Sequence, residues 1–149
     1  AGKKDGDGVI TNIKHGSPPH FAGRHQIKEP TEVQTLDECL IITPKEVFNR
    51  IKFDETTCND WHLYAVDYCL AVQEKGYRVF VLPSPCYHRS SGSLSAGYFS
   101  TLEKLRLKHR LNHKIIYTTM GSWHTAIPAS FQKTKIWGAI SYIINKGLC

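Results

Sequence analysis

Residues 53–88 read FDETTCNDWHLYAVDYCLAVQEKGYRVFVLPSPCYH, and this stretch decides the fold class. Asn59 or Asp60 can cap a helix, because a short side-chain oxygen accepts an amide that the first turn leaves unpaired. Leu63, Val66, Leu70 and Val72 supply an apolar face, and Gly76 suits the left-handed residue that ends such a helix. Arg78–Leu82 (RVFVL) is β-branched and aromatic and stops at Pro83, which predicts a strand. A helix feeding a strand, with carboxylates at the helix entry and His88 beyond the strand, is an α/β arrangement.

Working outward, VQTLDECLIIT (33–43) ends in the apolar run Cys39–Ile42, which predicts a buried strand. Thr43-Pro44-Lys45-Glu46 opens a helix to about Ile51, with Thr43 as cap, Glu46 reaching back and Pro44 where no amide is needed. Phe53-Asp54-Glu55 reads as a turn. Residues 1–30 show no period of two or 3.6 and read as loop, and Ser84–Ser95 has a loop's composition. Ser100–Arg110 predicts a basic helix with a Ser100/Glu103 capping box. In Phe131–Lys146, Ile136, Ile140, Ile143 and Ile144 recur at helical spacing between lysines. The segments are thus a loop-rich entry (1–30), a core (31–99) and a basic helical tail (100–149). Two strands do not build a self-sufficient parallel sheet, so the chain reads as part of a larger one.

At 149 residues the chain suits one domain, and its 41% hydrophobic and 21% charged residues exclude disorder. It holds no apolar run of about eighteen residues, as a spanning helix needs. The start, Ala1-Gly2-Lys3-Lys4-Asp5, lacks the apolar core of a signal peptide. Five cysteines without a CxxC pair favour a reducing compartment, with the cytoplasm as the expectation. The net charge of +6 lies in the tail: residues 1–99 carry 11 basic and 12 acidic side chains, residues 100–149 eight and one. Such a tail attracts nucleic acid, anionic lipid or phosphorylated substrates, or is simply a solvated helix face.

Four groupings could carry chemistry. Asp54, Glu55, Asp60 and Asp67 surround a helix start, and His88 follows a strand end, where open α/β sheets bind ligands. A carboxylate there can act as general base or oxygen ligand, and the histidine can complete a metal site. Asp60 also reads as a plain cap, and Asp67 as a solvent-facing carboxylate beside the apolar face. Asp5-Gly6-Asp7 is a DxD triplet, although Asp-Gly is ordinary turn chemistry. His15, His20 and His25 recur every five residues, a spacing that suits neither a helix face nor one side of a strand. Lys104, Arg106, Lys108, Arg110, His113, Tyr117, Trp123 and Trp137 mix basic and aromatic groups, the raw material of single-strand nucleic-acid binding, without an RNA-binding motif.

TLDECLIITPKEVF (35–48), the FDE triplet, WHLYAVDYCLAVQEKGYRVFVLP (61–83) and CYHRSSGS (86–93), in that order, resemble the catalytic C-terminal half of family 2 glycosyltransferases with the GT-A fold. KHRLNHKIIYTTMGSW (108–123) is similar to the ending of one subgroup. The resemblance implies a partial GT-A (Rossmann-like) α/β fold whose N-terminal nucleotide-binding half would precede residue 1. It implies inverting transfer of a sugar from a nucleotide-diphosphate donor to an acceptor hydroxyl, assisted by a divalent metal (Mn²⁺ or Mg²⁺). The family's Asp-x-Asp at the helix start matches Ala65 and Asp67, which leaves Asp67 as catalytic base, with Asp60 second. His88 matches the metal- or diphosphate-facing histidine. Asp37 and Glu38 match the acceptor side, and Trp61 and Tyr64 would stack on a sugar ring. The implied partners are a nucleotide sugar and a glycan or lipid-linked acceptor, with peripheral contact at the inner membrane face and no nucleic acid. The rival is a basic nucleic-acid- or membrane-surface-binding module without catalysis. The transfer reading expects Asp67 and His88 to converge on one cleft.

Overall fold

The computed structural model describes residues 1–5, 8–23, 26–89 and 96–145. In chain order it contains β1 (Gly2–Lys3), β2 (Ile13–His15), β3 (His20–Phe21), β4 (Thr31–Val33), β5 (Thr35–Leu36), α1 (Lys45–Arg50) and α2 (Tyr64–Gln73). There follow β6 (Val79–Val81), β7 (Cys86–His88), α3 (Ala96–His109), β8 (Ile115–Thr118), β9 (Gly121–His124), α4 (Ala129–Gln132) and α5 (Lys135–Asn145). The fold is mixed α/β. Gly6, Asp7 and His25, the Ser90–Ser95 part of the predicted loop, Lys146 and Cys149 lie outside the described residues.

Helix α2 is the axis of the molecule, and it is buried on nearly every side. Its Val66 and Leu70 pack with Leu102 and Leu105 of α3, Ile116 of β8 and Ala129. Its Tyr68, Cys69 and Val72 pack with Val33 of β4 and with Val79 and Val81 of β6. Leu70, Leu102 and Leu105 expose no surface, and each such side chain contributes about 1.5–3 kcal/mol on leaving water. The sequence suggested one apolar face, whereas the helix has two. A helix wrapped this way has no solvent face for a charge, so Asp67, 2% exposed, must be met by partners inside the protein. Gly76 takes φ +83°, the left-handed stop expected of it.

Among the described residues, short strands make up four small sheets, β1–β5, β3–β2–β7, β4–β6 and β8–β9, of which only the β2–β7 pair is parallel. Side-chain amides join them. Gln34, between β4 and β5, donates to Ile115 O (2.9 Å) and accepts from Tyr117 N (2.7 Å), pairing with β8 as a strand would. Gln73 of α2 donates to the carbonyls of Val33 (3.1 Å) and Gln34 (2.9 Å).

Several expectations are corrected. Residues 1–30 contain three strands, because elements of two or three residues draw their order from distant partners rather than from any local period. The run Cys39–Ile42 is not a strand. The chain turns after Leu36, where Asp37 accepts the Cys39 amide at 3.4 Å, and Leu40 and Ile42 end up 61% and 78% exposed. Helix α1 begins behind Pro44 without a side-chain cap, while Thr43 instead shares a hydrogen bond with the Tyr68 hydroxyl (3.3 Å). Strand β7 forms inside the predicted 84–95 loop by pairing with β2. Helix α3 starts before Ser100, so Glu103 caps nothing there and instead binds Arg106 and the Ala129 amide (2.9 Å). The tail includes the β8–β9 hairpin. The predicted 131–146 helix is split at Thr134, whose hydroxyl accepts the Trp137 amide (3.2 Å) at the start of α5.

Candidate functional site

The entry to α2 is built on a strained residue. Leu63 is a non-glycine at φ +68°, a left-handed conformation that costs a bulky side chain on the order of 1–3 kcal/mol and recurs at functional sites. It is held there by Glu38, whose Oε1 accepts the Leu63 amide at 2.6 Å, and by its own buried side chain. The Glu38 carbonyl accepts the Tyr64 hydroxyl at 3.4 Å. The sharp entry pushes Trp61 outward, 77% exposed, over Asp60, which accepts the Trp61 amide at 2.7 Å rather than capping the helix. Asp37 lies 3.3 Å from the Ala1 backbone nitrogen. Burial pushes the Glu38 carboxyl upward, with the Asp37 charge adding to it against two backbone amides that pull it down. Glu38 and Tyr64 therefore come together, with Asp60 and Trp61 on the exposed approach to Leu63 and the Glu38 carboxyl shifted toward holding a proton.

A second grouping was missed from the sequence. Strands β3, β2 and β7 align His20 with His15 and His15 with His88, so three imidazoles lie in register across one small sheet. The His15 and His20 rings are 4.3 Å apart. Directly paired residues share a face of a sheet, which is how a spacing of five can bring histidines together once a hairpin intervenes. Gly16, at φ +81°, makes that hairpin, and a Cβ there would stand 2.7 Å from the His20 ring. The Tyr87 hydroxyl donates to Gly16 O at 3.1 Å. Strand β7 also runs beside the Glu38 turn: burial first, then Asp37, push the Cys39 thiol up to about 12, and Cys86 adds to the push. Cys86 and His88 are two apart on β7 and face the same way.

Asp67 belongs to a third grouping, behind α2. Lys108 donates to both its oxygens (2.8 and 2.8 Å), and His109 Nε2 lies 2.8 Å from Oδ1. Lys108 also binds Asp54 at 2.9 Å, and His109 Nδ1 meets Glu74 Oε1 at 2.7 Å. Burial would lower the Lys108 ammonium, but Asp67 and then Asp54 outweigh it and hold it up. Lys108, followed by Thr57, holds the Asp54 carboxyl well below the usual carboxylate range. Burial would raise Glu74, but hydrogen bonds from His109 and Asn112 pull it down. The expected convergence of Asp67 with His88 is not found. Asp67 is walled in by α3, with both oxygens taken by cationic or ring donors.

The basic tail is only partly committed within the protein, and Lys104, Arg110, Lys114, Lys133 and Lys135 stay exposed. Arg106, 7% exposed, binds Glu103 and the Thr125 carbonyl, Lys104 binds Asn59 at 2.9 Å, and His109 is fully buried. A cavity of about 320 Å³ between α1, α2 and β6 is lined mainly by apolar groups such as Ile42, Val47, Val72 and Leu82, and holds none of the candidate site residues. Among the described residues one group of three donors closes within 4.8 Å, namely Glu74, His109 and His113, and His88 is not in it. The surroundings of His88 therefore do not by themselves fit Mn²⁺ or Mg²⁺, which require several oxygen ligands. No described helix is long and apolar enough to cross a membrane.

Comparison with known proteins matches residues 3–108 to a model of a glycosyltransferase-like family. Comparisons with individual curated proteins and with solved structures returned no significant match. The matched span takes in the α2 entry, the histidine sheet and most of α3, and on this match the chain belongs to the glycosyltransferase-like family.

Proposed function

With that membership as premise, we propose that the chain forms the acceptor side of a GT-A-type glycosyltransferase that moves a sugar from a nucleotide-diphosphate donor to an acceptor hydroxyl with inversion. The observation that carries this reading is Glu38: a half-buried carboxylate with a raised proton affinity, fixed on a strained helix entry beside an exposed Trp61. In one displacement Glu38 takes the acceptor proton, the acceptor oxygen bonds to the anomeric carbon from the face opposite the leaving group, and the bond to the diphosphate breaks. Trp61 and Tyr64 supply stacking faces, and Asp37 shapes the turn behind them. Asp60, exposed at the rim, is the second candidate base. Asp67 becomes a positioning residue that ties α2 to α3.

His88, with His15 and His20, faces the departing diphosphate as a set of ring donors. Such donors stabilise charge that grows as the bond breaks. Among the described residues no three donor atoms close around His88, so the charge of the departing diphosphate is met by the ring donors alone.

The test is turnover of a nucleotide-sugar panel by the protein at its natural length, read as nucleoside-diphosphate release. Glu38→Gln should lower kcat about 10²–10⁴-fold while leaving donor affinity in place, as loss of a general base does. His88→Gln should weaken donor binding. Wild-type kcat in Glu38→Gln would move the base to Asp60, and a panel without any binder would remove the transfer reading altogether.

Peripheral membrane contact belongs to the same proposal. Phe131, Ile136 and Ile140 are exposed around α5 beside Lys135, as an interfacial helix presents them. Co-sedimentation with anionic vesicles should fall on Ile136→Glu. The nucleic-acid alternative lacks an RNA-binding motif and loses Arg106 and His109 to internal contacts, while Lys104, Arg110, Lys114, Lys133 and Lys135 remain exposed.

A further inference from the structure

We propose that Glu74, His109 and His113 form a zinc site that clamps the end of α2 to the end of α3. Their donor atoms lie within 4.8 Å of one another, with His109 Nδ1 and His113 Nε2 at 2.7 and 3.6 Å from Glu74 Oε1. Two histidines and a carboxylate are a zinc donor set, with a water as fourth ligand. Tetrahedral bonds of about 2.0–2.1 Å place ligand atoms about 3.3 Å apart, so the 2.7 Å contact opens slightly and the widest one closes.

Three independent observations point to a cation. His113 Nε2 is a buried ring nitrogen with no hydrogen-bond partner among the described residues. An orphaned buried polar atom is costly, and a metal bond satisfies it. His109 turns its other nitrogen, Nε2, to the buried Asp67 carboxylate at 2.8 Å, the outer-shell arrangement that fixes the tautomer of a metal-bound histidine. Finally, Asp54, Asp67 and Glu74 bring three carboxylates to this corner against the one ammonium of Lys108. On binding, Zn²⁺ takes the lone pair of His109 Nδ1, and whatever proton lies between Nδ1 and Glu74 is released to solvent. The site stands apart from the α2 entry and the histidine sheet, so its fate does not depend on the sugar-transfer reading.

The experiment titrates chelator-treated protein with Zn²⁺ and, separately, Co²⁺. The expected result is one ion per chain, a Co²⁺ visible spectrum of nitrogen and oxygen ligation without a thiolate charge-transfer band, and a Tm raised by roughly 5–10 °C at a hundredfold excess over Kd. His113→Gln and Glu74→Gln should each abolish stoichiometric binding, and His113→Gln should leave the metal-free Tm near that of the wild type. Asp67→Asn should weaken Zn²⁺ about 10–100-fold, as outer-shell losses do. The proposal is overturned if the wild type binds no stoichiometric zinc, if both variants retain it, or if the Co²⁺ complex shows thiolate ligation.

Discussion

Replacing Asp67 by Asn keeps the side chain's volume and removes a carboxylate enclosed between α2 and α3. The carboxylate is 2% exposed and holds two contacts from Lys108 and one from the fully buried His109. Removing one partner of a buried ion pair costs about 3–5 kcal/mol, mostly because the other charge is left uncompensated. Lys108 is 31% exposed and keeps Asp54, which returns part of that cost and suggests a net loss of about 2–4 kcal/mol. For a chain of this size the loss lowers Tm by roughly 5–15 °C. Calorimetry and urea unfolding would read it, with the midpoint falling and the slope unchanged. Asp54→Asn is the control. That pair is about one-third exposed on both sides and is worth about 0–1 kcal/mol. Turnover should fall only as far as folding does. If Asp67→Asn melts with the wild type yet loses turnover, the enclosure argument is refuted and Asp67 regains the role of base.

Two further outcomes follow from the same geometry. Gln34→Ala leaves the Ile115 carbonyl and the Tyr117 amide without their partner. At about 1–3 kcal/mol for each unmet buried group, it should lower stability by roughly 2–4 kcal/mol in urea titration, whereas no measurable loss would show that water replaces the amide. Glu74 and Glu103 both have folded pKa values below their unfolded ones, so their contribution is complete above about pH 4.5 and is lost as pH falls through the lower folded values. Glu103→Gln should therefore flatten the acid limb of a Tm–pH profile, and an unchanged limb would show that its bond to Arg106 does not form in solution. Glu38, held upward, acts in the opposite sense: its ionisation on raising the pH costs stability, and Glu38→Gln should remove that drift.

Sequence alone determined the elements whose causes are local. The α2 segment with its Gly76 stop and the β6 strand before Pro83 follow from side-chain character and a left-handed glycine, each acting within a turn or two of the chain, whereas the expected Asn59 or Asp60 cap of α2 does not form. The ordered motifs from Thr35 to Gly92 likewise carried the glycosyltransferase resemblance that the family match bears out. Tertiary structure decided whatever depended on distant partners. Strands of two or three residues have no period to read, so β1, β2, β3 and β7 exist only because their partners reach them, and that pairing is what lines up His20, His15 and His88. Asp67 and Asp60 look alike in sequence, yet a lysine 41 residues away encloses the first while the second stays at the rim. Glu38 sits at the α2 entry because it binds an amide 25 residues ahead and bends the chain over itself. A carboxylate's chemistry is set by what surrounds it, and in this protein those surroundings are assembled by contacts across the fold.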